Sequence, residues 1–299
     1  MLAYELAVQN FAVAEHLLQL HELFRGLKGF EPKRNLSLAV CEELSLPAAT
    51  ALHHAKNEHL TCSIKATIPL PSCLLADGGV AFLLRQSVLV ACTALESYFW
   101  DVLRENALTV IRAKGRKADD TLKDITISLD DYLSLEGYED PDVRLQQIIL
   151  NRFKRGTLYD LDKIDEIAGI LNVKDFWTPV SAQTGIPTKE LRTRLGNLIQ
   201  RRNEITHRAD RPDENTKPDE IDSHGLRTMT YAWAATHVMT AKSVVAASSD
   251  VFKNAIVPLE AIITAREEQK LARATLKVGT ASGTGVAHDV TLELGKASP

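Results

Sequence analysis

Leu198-Ile199-Gln200-Arg201-Arg202-Asn203-Glu204-Ile205-Thr206-His207-Arg208-Ala209-Asp210 closes a segment whose apolar residues keep helical spacing. Leu191, Leu195, Leu198 and Ile205 fall on one stripe, so the segment reads as an amphipathic helix with one face against a core. Arg202 stands four residues after Leu198 and three before Ile205, inside that stripe. A guanidinium facing a core cannot shed its proton, and it is costly there unless a carboxylate or a phosphate meets it. His207 follows five residues later, where the helix is about to run into Asp210-Arg211-Pro212. A core-facing guanidinium, a neighbouring amide and a histidine at a helix end form a group suited to handling phosphate.

Outward from this helix the pattern stays helical, and the fold class it predicts is all-α. Residues 2–27 carry apolar side chains at three- and four-residue steps up to Gly26 and Gly29. A second helical block is expected over 36–62, interrupted by Pro47. Pro69 and Pro71 exclude helix from 66–72, which is the expected boundary after an amino-terminal helical segment, residues 1–76. From 79 to 113 the apolar residues Phe82, Leu84, Val88, Leu89, Cys92, Leu95, Phe99, Val102 and Leu103 surround most of a helix, the mark of a central buried one. Glu96 lies in its middle. The run 112–117 reads as a basic turn and 119–138 as an acidic stretch irregular at its edges. Helices follow over 143–153 and over 160–171, the latter capped by Asp160 or Asp162. Residues 175–179 read as a tight apolar connector, Thr188 as the cap of the motif helix and 212–225 as a polar loop. A helix is expected over 226–252 and another, opened by Pro258, over 259–274. The expected units are then 1–76, a helical domain over 77–255, and a carboxy-terminal helix with tail over 256–299. Residues 276–299 are rich in Gly, Thr and Ser with alternating Val290, Leu292 and Leu294, which leaves a hairpin and a loose tail both open.

The chain's 299 residues can bury a sizeable core, and 45% hydrophobic with 25% charged residues is the balance of a globular protein. A net charge of −4 argues against a surface that coats nucleic acid or an acidic membrane indiscriminately. Locally the balance reverses: residues 189–211 hold seven Lys/Arg against three Asp/Glu. Cys41, Cys62, Cys73 and Cys92 have no paired CxxC spacing, so no metal site is expected. The start of the chain lacks a basic and then apolar leader, and 79–95, interrupted by Arg85 and Gln86, is short for a bilayer. A cytoplasmic protein with reduced thiols is the expectation. No glycine-rich phosphate loop and no strand–turn–helix serine setting occur, which argues against an NTPase and a serine hydrolase.

Arg202-Asn203, three residues and then His207 match the Arg-x4-6-His signature of the HEPN superfamily, with its common polar residue directly after the arginine. The string 198–210 resembles the RiboL-PSP-type branch. Ala94-Leu95-Glu96-Ser97-Tyr98 is similar to that family's opening core helix, and 158–177, with Asp162-Lys163-Ile164 and Phe176-Trp177, to its middle. The likeness covers roughly 79–252. It implies an antiparallel helical bundle, a homodimer with a composite cleft, and metal-independent cleavage of RNA by its 2′-hydroxyl, in a toxin or anti-phage defence setting with a possible antitoxin or defence partner protein. No cofactor is implied. In that chemistry His207 would move protons, Arg202 would hold the non-bridging oxygens and Asn203 would orient one or the other. Glu96 would fix Arg202, while Arg201 and Arg208 would track the RNA backbone.

Each residue also has a plainer role. Arg202 and Glu96 suit a structural ion pair, His207 and Asn203 suit hydrogen bonding at a helix end, and Arg201 and Arg208 suit solvated surface. Two other functions fit the same residues: a non-catalytic module that binds RNA or a nucleotide, and a helical scaffold that docks an antitoxin or effector. Residues 1–70 suit a sensor, a dimerisation arm or an inhibitory segment equally.

Overall fold

The computed structural model describes residues 2–67, 79–115, 127–153, 161–222 and 224–281. In chain order these form α1 (Leu2–Phe24), β1 (Lys28–Gly29), α2 (Arg34–Glu43), β2 (Leu52–Lys56), β3 (Thr61–Lys65), α3 (Ala81–Lys114), α4 (Leu129–Glu136) and α5 (Pro141–Phe153). Then come α6 (Leu161–Ile170), α7 (Trp177–Thr184), α8 (Thr188–Arg208) and α9 (Tyr231–Ala281). Among the described residues the protein is all-α apart from one small sheet.

α3 is the central element. Seventeen of its residues are buried, among them Leu84, Val88, Leu95, Phe99 and Val102, because partners cover it on several sides. α1 lies along one side through Ala3, Ala7, Phe11, Ala14 and Leu18, all buried at three- and four-residue steps. The small alanines let the two helices approach closely. α8 and α9 pack elsewhere on α3, and Phe99 meets Phe176 and Phe252 edge-on, joining α3, the start of α7 and α9. The first helix therefore shares one apolar core with the helices that follow it.

Five expectations are corrected. The expected helical block over 36–62 ends at Glu43, and β2 pairs antiparallel with both β1 and β3. Asn57 makes that turn: its Oδ1 accepts from the N–H groups of His59 (2.9 Å) and Leu60 (2.7 Å). Its Nδ2 donates to the carbonyls of Leu23 (2.8 Å) and Arg25 (2.9 Å), tying the hairpin to the end of α1. Residues 175–179 run into a helix, α7, with Pro179 in its first turn, where an absent N–H leaves no bond unmade. Thr188 is the first residue of α8; Pro187 holds the cap position and no side chain caps the helix. Pro258 opens nothing, since α9 runs through it from Tyr231 to Ala281. Ile256 and Leu259 are buried on either side of the proline, and this packing offsets the missing backbone bond. The helix expected from 226 begins at Tyr231, because Arg227 is bridged to Ile221.

Gly115, at φ 54°, ends α3, and α4 is capped by Ser128, whose Oγ accepts from Asp131 N–H (3.0 Å). Asp162 lies in the first turn of α6. The expected cap Asp160, the prolines of the 66–72 connector, most of the basic turn after Gly115 and the tail from 282 lie outside the described residues.

Candidate functional site

The site is built on the last three turns of α8. Leu191, Leu195 and Leu198 are fully buried against the core, with Ile205 packed at its edge, as the stripe requires. Arg202 shares that side and is half-buried between α8 and α3. Its Nη1 donates to Oδ1 of Asn203 (2.9 Å). Its charge also reaches α3, where it pulls on Glu96 and Cys92. Burial raises the Glu96 carboxyl above the ordinary carboxylate range, and Arg202 draws it back only in part. Burial pushes the Cys92 thiol up to about 12, against the pull of Arg202. Cys92 Sγ points at the Leu198 carbonyl across the same interface (3.8 Å). The structure thus places Glu96, Arg202 and Asn203 together.

His207 stands one helical turn beyond Asn203 on the same side of α8, and it is exposed. Arg208 is exposed beside it, with Asp213 at 3.8 Å. Arg201 is turned away. Its Nη2 donates to Asp210 Oδ2 (3.0 Å) and to the carbonyls of Arg227 (2.9 Å) and Thr228 (3.2 Å). Its side chain keeps only 11% of its surface, so the structure places it in the frame of the motif, apart from the exposed Arg208.

That frame is the part the sequence reading missed. Asp210 is fully buried and takes Arg85 Nε at 2.5 Å as well as Arg201. Arg85 Nη2 goes on to Asp222 Oδ2 (2.8 Å) and the Arg227 carbonyl (2.9 Å). Arg227 in turn pairs with Glu204. Three arginines and three carboxylates balance in charge, as buried ions must. Burial pulls the Asp222 carboxyl upward, but the bonds from Arg85, Leu226 N–H and His224 N–H hold it below its ordinary value.

The backbone follows the same logic. Ala209 and Asp210 both have positive φ, 52° and 58°, and their N–H groups turn back to the Glu204 carbonyl. This is a left-handed helix ending without a glycine, a conformation held by its surroundings. The Asp210 carbonyl accepts from Arg227 N–H (3.0 Å), which closes the 211–226 loop onto the end of α8. One signal for this frame was in the sequence. Arg85 sits in an apolar helix, and the argument that demands a partner for Arg202 demands one for Arg85 too.

A helical bundle built on one buried central helix, with an Arg-x4-His pair on the helix beside it, is the architecture of a HEPN-type domain. The sequence model of the RiboL-PSP-HEPN family matches residues 55–229, more than half of the chain, and the chain belongs to that family. The match begins in β2 and ends just before α9, so it takes in both α3 and the whole motif. No curated protein and no solved structure matches the chain.

Proposed function

We propose that the protein is a metal-independent endoribonuclease acting as a homodimer, with two motifs facing one composite cleft. The observation that carries this reading is the arrangement of three side chains. An exposed imidazole stands one turn from an amide, and that amide is hydrogen-bonded to a half-buried guanidinium. A half-buried guanidinium attracts an oxyanion more strongly than one in open water, because less solvent screens it. An exposed imidazole can reach a bound strand and pass a proton to or from it.

In the reaction an RNA 2′-hydroxyl gives its proton to one His207 and its oxygen attacks the adjacent phosphorus. The P–O5′ bond breaks, and the departing oxygen takes a proton from the second His207. The products are a 2′,3′-cyclic phosphate and a 5′-hydroxyl. Arg202 faces the non-bridging oxygens as charge accumulates, Asn203 holds the fork of Arg202, and Glu96 supplies counter-charge from α3. Arg208 follows the strand beyond the cut. A toxin or anti-phage role, with an antitoxin or defence partner holding the activity in check, suits such an enzyme in a cell.

The test is cleavage of RNA by the purified chain in EDTA, with the new ends identified. Cyclic phosphate ends are expected, and His207→Ala should abolish cleavage while RNA is still bound. Binding without any cleavage by the wild-type chain would replace the nuclease with an RNA- or nucleotide-holding module.

A further inference from the structure

α1 buries one face on the bundle and leaves another uncovered. Ala3, Ala7, Phe11, Ala14 and Leu18 hold it against the core. On the far side, Leu2, Leu6, Gln9, Val13, His16, Leu20 and Leu23 succeed one another at alternating steps of four and three residues. All seven are exposed, and the five apolar ones keep between 38% and 63% of their surface. A stripe of this period is the seam of a two-stranded coiled coil, in which each side chain enters a hole on the facing helix. Among the described residues no helix faces it. The helix Leu2–Phe24 contains no Lys or Arg, so it lacks the basic flanks by which an apolar stripe lies on an acidic lipid surface.

The two polar members of the stripe decide its occupant. Gln9 and His16 stand seven residues apart, at the same place in successive heptads. Covered by an apolar helix, an amide and an imidazole would lose their bonds to water with nothing in return. In a parallel, in-register pair of two copies, Gln9 of one meets Gln9 of the other, and His16 meets His16. An amide and a neutral imidazole each carry a donor and an acceptor, so each can bond to its own kind. An antiparallel pair sets the two kinds of seam position against each other and brings Gln9 and His16 opposite Leu or Val. The stripe holds no Lys, Arg, Asp or Glu, so it meets its own image without like-charge repulsion. α1 is also already folded on the bundle, and pairing does not bear the cost of forming a helix.

We infer that α1 is a dimerisation helix, whose outer stripe pairs, parallel and in register, with the same stripe of a second copy of the chain. The contact lies outside residues 55–229, the part that matches the family. It rests on α1 alone, whether or not the chain cuts RNA.

The experiment is sedimentation equilibrium of the full chain without RNA, at concentrations up to roughly 0.1 mM. A dimer is expected, and it should persist in high salt, whereas a contact through the basic α8 helices should respond to salt and to RNA. Val13→Glu puts two carboxylates into one layer and should weaken the dimer by about a hundredfold or more. It leaves the buried face of α1 untouched, so far-ultraviolet circular dichroism should stay that of the wild type. His207→Ala should dimerise as the wild type does. Leu23→Cys should close a disulfide between two copies on mild oxidation, over the background of the wild-type chain, because a parallel pair brings the two positions together. A chain that stays monomeric overturns the assignment and leaves the stripe to a foreign helix. A dimer indifferent to Val13→Glu, or one in which Leu23→Cys does not cross-link, overturns it as well.

Discussion

Two neighbouring arginines of one helix, Arg201 and Arg202, face different worlds. Arg202 looks toward α3 and the site, while Arg201 is locked to Asp210 and to the loop carbonyls. The two changes Arg201→Ala and Arg208→Ala should therefore differ in kind. Arg208→Ala should leave thermal unfolding unchanged and reduce the salt dependence of RNA binding by about one phosphate contact. Arg201→Ala should lower the unfolding midpoint, because it removes one of the two ions that balance a fully buried carboxylate. Arg85→Ala should be worse, at about 3–5 kcal/mol in urea unfolding, since Asp210 and Asp222 both lose a partner. It should also slow cleavage, because Asp210 anchors the turn directly after His207. A wild-type unfolding curve from the Arg85 variant would refute the role given to the frame. Much of this scale was legible. The placement of Arg202 followed from the stripe of Leu191, Leu195, Leu198 and Ile205. What hid Arg201 was that its partners come from a loop, and no periodicity relates residue 201 to residues 227 and 228.

At the scale of elements, α1 docks on α3 by a narrow row of alanines with one large side chain, Phe11, fully buried in the middle. Phe11→Ala should cost about 3–5 kcal/mol, read from urea unfolding, because the flanking alanines cannot fill the gap. The same junction is sensitive to acid. Burial holds the His21 imidazole below its ordinary value despite Glu22, and His21 stacks on Tyr231 of α9 at 5.9 Å. Burial likewise lowers His237, against the bond to the Trp233 carbonyl. A lowered folded value means that the unfolded chain binds protons first. The stability from these two rings is therefore complete above about pH 6.5 and drains away as pH falls toward their folded values. Asp222, also lowered, adds a loss of the same sign at more acid pH, below about 3.9. Urea midpoints at pH 7.5 and 5.5 should differ, and His237→Gln should shrink the gap. The helices were readable because their apolar faces are long. The sheet was not: β1 has two residues and β2 buries only the adjacent His54 and Ala55, so no alternation betrays a strand. Pro258 misled for the opposite reason, as a local rule for ending helices yields to burial on both sides.

At the scale of the whole molecule, the charge is divided. A chain of net −4 concentrates its positive excess along α8, and the proposed cleft needs two such helices to meet. Like charges resist that meeting, so the dimer should tighten when a polyanion bridges the two motifs. Sedimentation at several salt concentrations, with and without a non-cleavable RNA, should show a larger dimer fraction in the presence of RNA. A strictly monomeric chain that still cleaves at rates proportional to enzyme concentration would remove the composite cleft. α9 carries a consequence of its own. Its 51 residues form a continuous rod of roughly 76 Å, and residues 264–273 of it are exposed. A rod that outreaches its bundle drags through water. The particle should diffuse more slowly than a sphere of 33.0 kDa, and a gel-filtration column calibrated on round proteins will overstate its mass.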